Sequence, residues 1–328
     1  MRVAIAYNKP GDAAGSAEAD VLEQVEAVET ALVGAGHQVC ALPCTLDLAG
    51  FDGALAKQRP DVVFNLVEAL GGTDRLAVLV TLLLDARGVP YTGAGSRALE
   101  LSADKVGAKE RMRRLGLPTP DWYVCEKTQV DFPGAGCYIV KARFEHASLG
   151  LDDQSVVQVA DAGQLTRRIR ARGKHSGAQQ FAERYVAGRE FNVALLASET
   201  GPAQVLPPAE IDFSAFAPGK PRIVGHDAKW SSRAFEYHAT PRRFDFPAAD
   251  ARLLDLLGTL GMQVWECFAM RGCARVDFRV DEDGRPWILE INPNPCLSPD
   301  AGFAAALDAA GIPAEEMVGR LVRTAATD

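Results

Sequence analysis

The chain reads as α/β over its first hundred residues, with a doubly wound parallel sheet, and as α+β over the remainder. Three observations carry this. Short apolar runs at residues 3–7 and 61–66 alternate with segments of helical period, the pattern of strands buried on both faces. From Glu190 onward strand signals dominate. The length of 328 residues suits two or three domains, or one large α/β body with subdomains.

Residues 3–7, Val-Ala-Ile-Ala-Tyr, predict a buried strand. Asp20 predicts a helix cap, with Glu23 three residues on as its capping-box partner. Val21, Val25, Val28 and Leu32 form one apolar stripe at 3.6 spacing, and Gly34 and Gly36 end the helix. Strands are expected at 37–42, 61–66 and 89–91, with a helix at 76–87. The first strand lacks a following G-x-G-x-x-G, so a dinucleotide site of the Rossmann kind is not expected. A helix over 104–115 ends at Gly116, and Pro118 and Pro120 mark a linker. Then come a strand at 137–141, a helix at 161–172, a strand at 178–183, a helix near 248–260, a hairpin, and helices after Phe303.

Several function classes are disfavoured. Lys plus Arg is 35 against 43 for Asp plus Glu, a net charge of −8, and no basic block stands out. Nucleic-acid backbone binding is therefore not expected. The longest apolar run, residues 76–84, falls short of the ~20 residues a membrane span needs. The opening residues lack the apolar core of a signal peptide. The seven cysteines are scattered, with no C-x-x-C pair. These features predict a reduced, cytoplasmic protein without a zinc site.

The hairpin is the most informative segment. Asp283-Gly284 is a strong two-residue turn signal. With that turn, Val280, Phe278 and Val276 face Trp287, Leu289 and Ile291 on an apolar side, while Asp277 faces Glu290 and Arg275 faces Asn292. Like charges directly opposite destabilise a sheet. Two carboxylates and an amide oxygen on one surface suit Mg²⁺, which takes carboxylates together with substrate phosphates. A solvated face neutralised by Arg275 and Arg279 is the alternative.

Here the chain resembles a family. The hairpin is similar to the metal-binding end of the ATP-grasp fold, and the whole chain looks like a D-alanine–D-alanine ligase. Tyr91-Thr-Gly-Ala-Gly95 resembles its Y-T-G-x-G stretch, and Leu101-Ser-Ala-Asp-Lys105 its L-S-x-D-K. Ile139-Val-Lys141 with Glu145-His-Ala-Ser-Leu-Gly150 resembles V-K-P plus the E-G-S-S-x-G loop. Glu183-Arg-Tyr-Val-Ala-Gly-Arg-Glu190 resembles E-x-x-x-x-G-x-E, and Ala228-Lys229 the A-K before a flexible loop. The matches are collinear from Ser16 to Ala310.

The resemblance implies an ATP-grasp fold in three parts. These are an N-terminal α/β substrate domain, residues 1–103, a central lid, 104–187, and a C-terminal body carrying the hairpin, 188–328. It implies an ADP-forming ligase that joins amino acids, (D-)amino acids above all, or small peptides through an acyl phosphate. The cofactors would be ATP and Mg²⁺, with Mn²⁺ as a substitute, and the assembly a homodimer. Lys105, Lys141 and Lys229 would contact phosphates. Glu183 and the backbone at Val186 would hold adenine, and Glu190 the ribose. Asp277, Glu290 and Asn292 would hold the metal. Arg275 would stabilise charge on the acyl group, Ser148 would lie in a loop closing over the phosphates, and Glu18 would hold the first substrate's ammonium. Glu68 follows a strand where α/β sheets place ligands.

Departures gather at the substrates. Trp230 stands for tyrosine, Cys296 for glycine, and His146 for a glycine of the phosphate loop. Ala301-Gly302 replace the Ser-Leu that receives the second substrate's carboxylate, with Asp300 alongside. A changed amine acceptor is expected, since losing a hydrogen-bonding partner alters specificity strongly. The rival readings are an ATP-grasp ligase of specialised metabolism, a carboxylate kinase and a nucleotide-binding homologue without catalysis.

Overall fold

The computed structural model describes residues 1–10, 16–125, 132–145, 148 and 150–327, with the side chains of 16–19 outside that description. The first unit comprises β1 (Arg2–Asn8), α1 (Ser16–Gly34), β2 (Gln38–Cys44), α2 (Leu48–Gln58), β3 (Val62–Leu66) and α3 (Val78–Arg87). The strands are parallel in the order β2-β1-β3, and Tyr91 adds one parallel bridge to Val63 rather than the expected strand. Strand alternation divides the residues between two cores. Val3, Ile5, Val62 and Phe64 enter one core, with Val25, Val28 and Leu32 of α1. Ala4, Ala6 and Val63 enter the other, with Phe51 and Leu55 of α2 and Val80 and Leu84 of α3.

The capping box expected at Asp20 is not formed. Helix α1 begins at Ser16, which puts Asp20 inside it, and the Asp20 carboxylate accepts from Ser298 Oγ at 2.8 Å instead of from helix N–H groups.

The chain continues with α4 (Ser96–Ala103), α5 (Lys105–Arg114), β4 (Trp122–Tyr123), β5 (Gly136–Ala142), β6 (Val156–Val159), α6 (Ala162–Ser176) and β7 (Gln180–Arg184). The sequence reading missed α4. Its two turns bury only Ala98, Leu99 and Ser102, and no side chain caps it, so its period was too short to register. Strands β4-β7-β5-β6 make an antiparallel sheet backed by Leu165 and Ile169 of α6. Asp161 caps α6 by accepting from Gln164 N at 2.8 Å, and Gly177 in the left-handed region ends it.

The third part holds β8 (Arg189–Leu196), β9 (Gln204–Val205), β10 (Ala209–Ile211), α7 (His226–Trp230), α8 (Phe235–His238), β11 (Arg242–Arg243), α9 (Ala251–Cys267), β12 (Cys273–Val280), β13 (Pro286–Asn292), α10 (Gly302–Ala309) and α11 (Ala314–Thr327). The sheet order is β11-β10-β8-β12-β13, with β9 on β8. Leu257, Leu260 and Val264 of α9 pack beneath Val193, Leu195 and Phe278. The last two helices return to the first sheet, where Phe303, Val318 and Leu321 share a core with Ile5 and Phe64. All seven cysteines are free. Among the described residues no helix is long and apolar enough to cross a membrane.

The hairpin register differs from the sequence reading near its turn. Asp281 N bonds Arg285 O and Gly284 N bonds Asp281 O, with Gly284 at φ +77°, so the loop is wider than two residues. That shifts the pairs to Val280–Pro286, Arg279–Trp287 and Phe278–Ile288, and Ile288 rather than Leu289 enters the core. A bulge between Asp277 and Phe278 restores the register, so Asp277 still faces Glu290 and Arg275 faces Asn292.

Candidate active site

The two carboxylates opposed on β12 and β13 are held by cations and amides. Arg275 forks onto Asp277, Nε to Oδ1 at 2.7 Å and Nη2 to Oδ2 at 2.9 Å. Asn192 of β8 donates to Asp277 Oδ1 at 2.7 Å, and Asn292 donates to Oδ2 at 3.0 Å. Glu290 pairs with the Lys105 ammonium at 2.9 Å. Burial opposes the Arg275 charge, but Asp277 and Glu290 outweigh it and raise its pKa. Among the described residues no three His, Cys, Asp or Glu side chains form a complete metal cage. Two carboxylates with Asn292 beside them fit a hard cation that also takes oxygens from a bound phosphate. Lys105 and Arg275 now balance the charge that such a cation would balance.

Lys105 is the first residue of α5, and its place is set by a clamp. Asp104 caps the helix through Val106 N at 3.1 Å and takes both arms of Arg143, at 2.6 and 2.5 Å, from just beyond β5. Lys105 Nζ also donates to Glu145 O. One turn on, Lys109 projects from the same face. It is 1% exposed, pairs with Glu183, and donates to Thr119 Oγ1 at 2.8 Å. Lys141, at the end of β5, donates to the other Glu183 oxygen at 2.8 Å. Burial would raise the Glu183 pKa, but Lys109 and Lys141 hold it below the usual range. Burial lowers the Lys109 pKa; at Lys141 the nearby Glu183, Glu290 and Glu190 overcome burial and raise it. Sequence reasoning missed Lys109, whose only signal was its i+4 spacing from Lys105.

Glu190 on β8 pairs with Arg279 of β12 at 2.9 Å, and burial raises its pKa, with Asp277 adding. Between Glu183 and Glu190 the chain turns at Gly188, φ +138°, where a Cβ would lie 2.0 Å from Val280 O. Only glycine allows that approach. Val186 lies in this turn, before Gly188. Lys229 sits on α7, where burial and then Arg275 lower its pKa while Glu290, Asp277 and Glu190 oppose the shift. Ser148 adopts φ +57° and donates to Val224 O at 3.3 Å. His146 and the rest of the phosphate-loop reading at 147 and 149 lie outside the described residues, as does the Glu18 side chain.

The family model described as D-ala D-ala ligase C-terminus matches residues 112–323. The chain belongs to the D-alanine–D-alanine ligase family. Curated relatives include the D-alanine--D-alanine ligases of Stutzerimonas stutzeri, 32% identical over 92% of this chain and 89% of its own length, and of a Synechococcus strain, 29% identical over 92% and 86%. Solved relatives include D-alanyl-alanine synthetase A from Vibrio cholerae, TM-score 0.73 at 16% identity, covering 100% of this chain and 99% of its own. The Bacillus anthracis ligase, solved with ATP, has TM-score 0.71 at 18% identity and covers 99% and 97%. These likenesses establish the ATP-grasp fold, and membership of the family makes the chain an ATP-dependent ligase of that fold.

In this D-alanine–D-alanine ligase relative the family motifs have identifiable physical jobs. Gly93 of the Y-T-G-A-G stretch has φ +82°, and a Cβ there would lie 2.5 Å from Asn294 Oδ1. The same oxygen accepts from Ala94 N at 2.8 Å, which ties this stretch to the loop after β13. That loop also meets α1. Cys296 Sγ donates to Asp20 Oδ2 at 3.2 Å, and Leu297 N donates to Gln24 Oε1 at 3.0 Å. Gln24 Nε2 then donates to Glu68 Oε1 at 3.0 Å. The sequence reading placed neither Asp20 nor Gln24 in the site.

Solvent reaches Glu68, yet the protein crowding it pushes its pKa up to about 7, with Asp20 and Asp74 adding to the rise. It is neutral below that value and anionic above. If it helps hold the first substrate's ammonium, kcat/KM for that substrate is expected to climb as pH rises through about 7, and Glu68→Gln is expected to flatten the climb. An unchanged profile in the variant would remove Glu68 from that role. The same direction means the folded state keeps a proton that the unfolded chain loses above its ordinary pKa. Its stabilising contribution therefore falls as pH rises through that window.

Proposed function

We propose that this ligase activates an amino-acid carboxylate with ATP and joins it to an amine acceptor other than D-alanine. The convergence of Lys105, Arg275, Asp277 and Glu290 in one network supports the activation step best, and Ala301-Gly302 in place of the family's Ser-Leu supports the altered acceptor. Lys105, Lys141 and Lys229 neutralise phosphate oxygens, the work on which phosphoryl transfer mainly depends. Asp277, Glu290 and Asn292 would hold Mg²⁺, which would supply charge neutralisation at the transferred phosphate. Glu190 takes the ribose, and the backbone through Val186 takes adenine. Glu183, spent on two lysines, acts by fixing Lys141. Glu18 with Glu68 receives the first ammonium, and the loop around Ser148 covers the phosphates.

The first substrate's carboxylate oxygen attacks the γ-phosphorus, and ADP leaves. The acceptor nitrogen then attacks the acyl carbon, the carbon–oxygen bond to phosphate breaks, and the nitrogen gives up a proton. Arg275 stabilises the oxyanion that develops at that carbon. In this reading residues 1–103 supply the first-substrate domain, 104–187 the lid and 188–328 the metal-bearing body.

The test is ADP release from Mg-ATP with D- and L-amino acids, singly and in pairs, with products read by mass. Turnover is expected for a pair other than D-alanine with itself. D-Alanyl-D-alanine as the main product would refute the altered acceptor. In that frame Ala301→Ser with Gly302→Leu is expected to raise D-alanine acceptor activity at least tenfold, measured as dipeptide formed per ADP. No gain would mean that these two positions do not set the acceptor.

A further inference from the structure

One charged group at the acceptor end has no assigned work. Arg242 lies on β11, paired with Ile211 of β10. Its Nη1 donates to Asp300 O at 3.0 Å. Among the described residues its side chain makes no other hydrogen bond and has no carboxylate within ion-pair distance. The neighbouring arginines differ, since Arg275 clamps Asp277 and Arg279 clamps Glu190. Solvent reaches Arg242, yet the surrounding protein and then the Arg275 charge press against its own charge, which Asp300, Cys296 and Tyr237 offset only in part. An arginine carries five donors in a rigid fork that matches a carboxylate.

What faces the fork is the position that departs from the family. A Cβ on Gly302 would lie 3.1 Å from Arg242 Nε and 3.6 Å from Nη2, so glycine leaves the room the guanidinium occupies. Gly302 opens α10, an eight-residue helix, behind Ala301, and no side chain caps it. Arg242 holds only the backbone carbonyl of Asp300, and the Asp300 carboxylate instead accepts from Tyr237 Oη at 3.4 Å.

We propose that Arg242 receives the acceptor's carboxylate, doing with a charged fork what the Ser-Leu pair does elsewhere in the family. The acceptor is therefore an amino acid or short peptide with a free carboxylate. This rests on the ligase reading and narrows it.

The experiment compares amino-acid acceptors with their carboxamides, as kcat and KM separately, in the wild type and in R242Q, R242K and G302A. Hydroxylamine, an amine without a carboxylate, serves as a further acceptor through hydroxamate formation. The wild type is expected to prefer carboxylates about 10–100-fold, the size of a charge-assisted hydrogen-bond pair. In R242Q that preference is expected to collapse through acceptor KM. R242K keeps part of it, because an ammonium is a point charge. G302A, by crowding the fork, raises acceptor KM severalfold. R242Q retaining the wild-type preference would overturn the proposal, as would a wild type that uses carboxamides as well as acids while forming hydroxamate. No hydroxamate with any carboxylate would instead bring down the ligase reading, and this assignment with it.

Discussion

Glu290→Gln is expected to lower ATP turnover about 10³-fold, on the order of 4 kcal/mol at 1.4 kcal/mol per tenfold. Glu290 faces Asp277 across β12 and β13, and the two are the charged members of the proposed metal set. The amide keeps size and hydrogen bonding but removes one of the two negative charges that attract a divalent cation. Half-saturation by Mg²⁺ is therefore expected at a concentration at least tenfold higher, while the fold persists because Lys105 keeps the Glu145 carbonyl as a partner. ADP release titrated with Mg²⁺ checks both parts. Turnover within a few-fold of wild type at the same Mg²⁺ demand would show that Glu290 only balances Lys105.

The facing of Asp277 with Glu290 is legible in the sequence from the turn and the period-two alternation of the two strands. The width of that turn is not. Asp283-Gly284 signals a two-residue loop, but Gly284 in the left-handed region closes a wider one, and the one-residue offset is absorbed at the bulge beside Phe278. Local turn chemistry cannot reveal a compensating bulge six residues away. Asp20 is a similar case. Its spacing to Glu23 fits a capping box, yet a partner 278 positions along the chain claims the carboxylate. Residues legible from motifs, such as Lys105, Lys141 and Glu190, carry their spacing with them. Lys109, Gln24 and Arg242 acquire a role only through contacts that the fold creates, and no spacing rule reaches those.

Glu183→Leu is expected to destabilise the protein by about 3–5 kcal/mol, the range for removing one partner from a buried ion pair. Glu183 is 1% exposed and serves two ammonium groups, so leucine strands Lys109 and Lys141 together in a dry site. Denaturant midpoints of the variant and wild type measure the loss. Its pH dependence follows from the signs. The Glu183 pKa is depressed in the fold, so its contribution is complete above the unfolded carboxylate value and fades only as acid protonates it. At the alkaline end, Lys109 is already the easier lysine to discharge, and without Glu183 it sheds its proton earlier still. The gap between variant and wild type is therefore expected to narrow from both sides of neutral pH. Glu183→Leu with Lys109→Met is expected to recover part of the loss, because apolar groups replace a stranded charge.

ATP binding separates the structural part from the functional one. Lys109 reaches Thr119, whose hydroxyl donates to Ile288 O at 3.0 Å, two residues before Glu290. Glu183 thus links β7, α5 and the β12–β13 hairpin in one line of polar contacts. The double variant, partly recovered in stability but with Lys141 deprived of Glu183, is expected to bind ATP at least tenfold more weakly than wild type. Wild-type ATP affinity in the stabilised double variant would show that Glu183 contributes to folding alone.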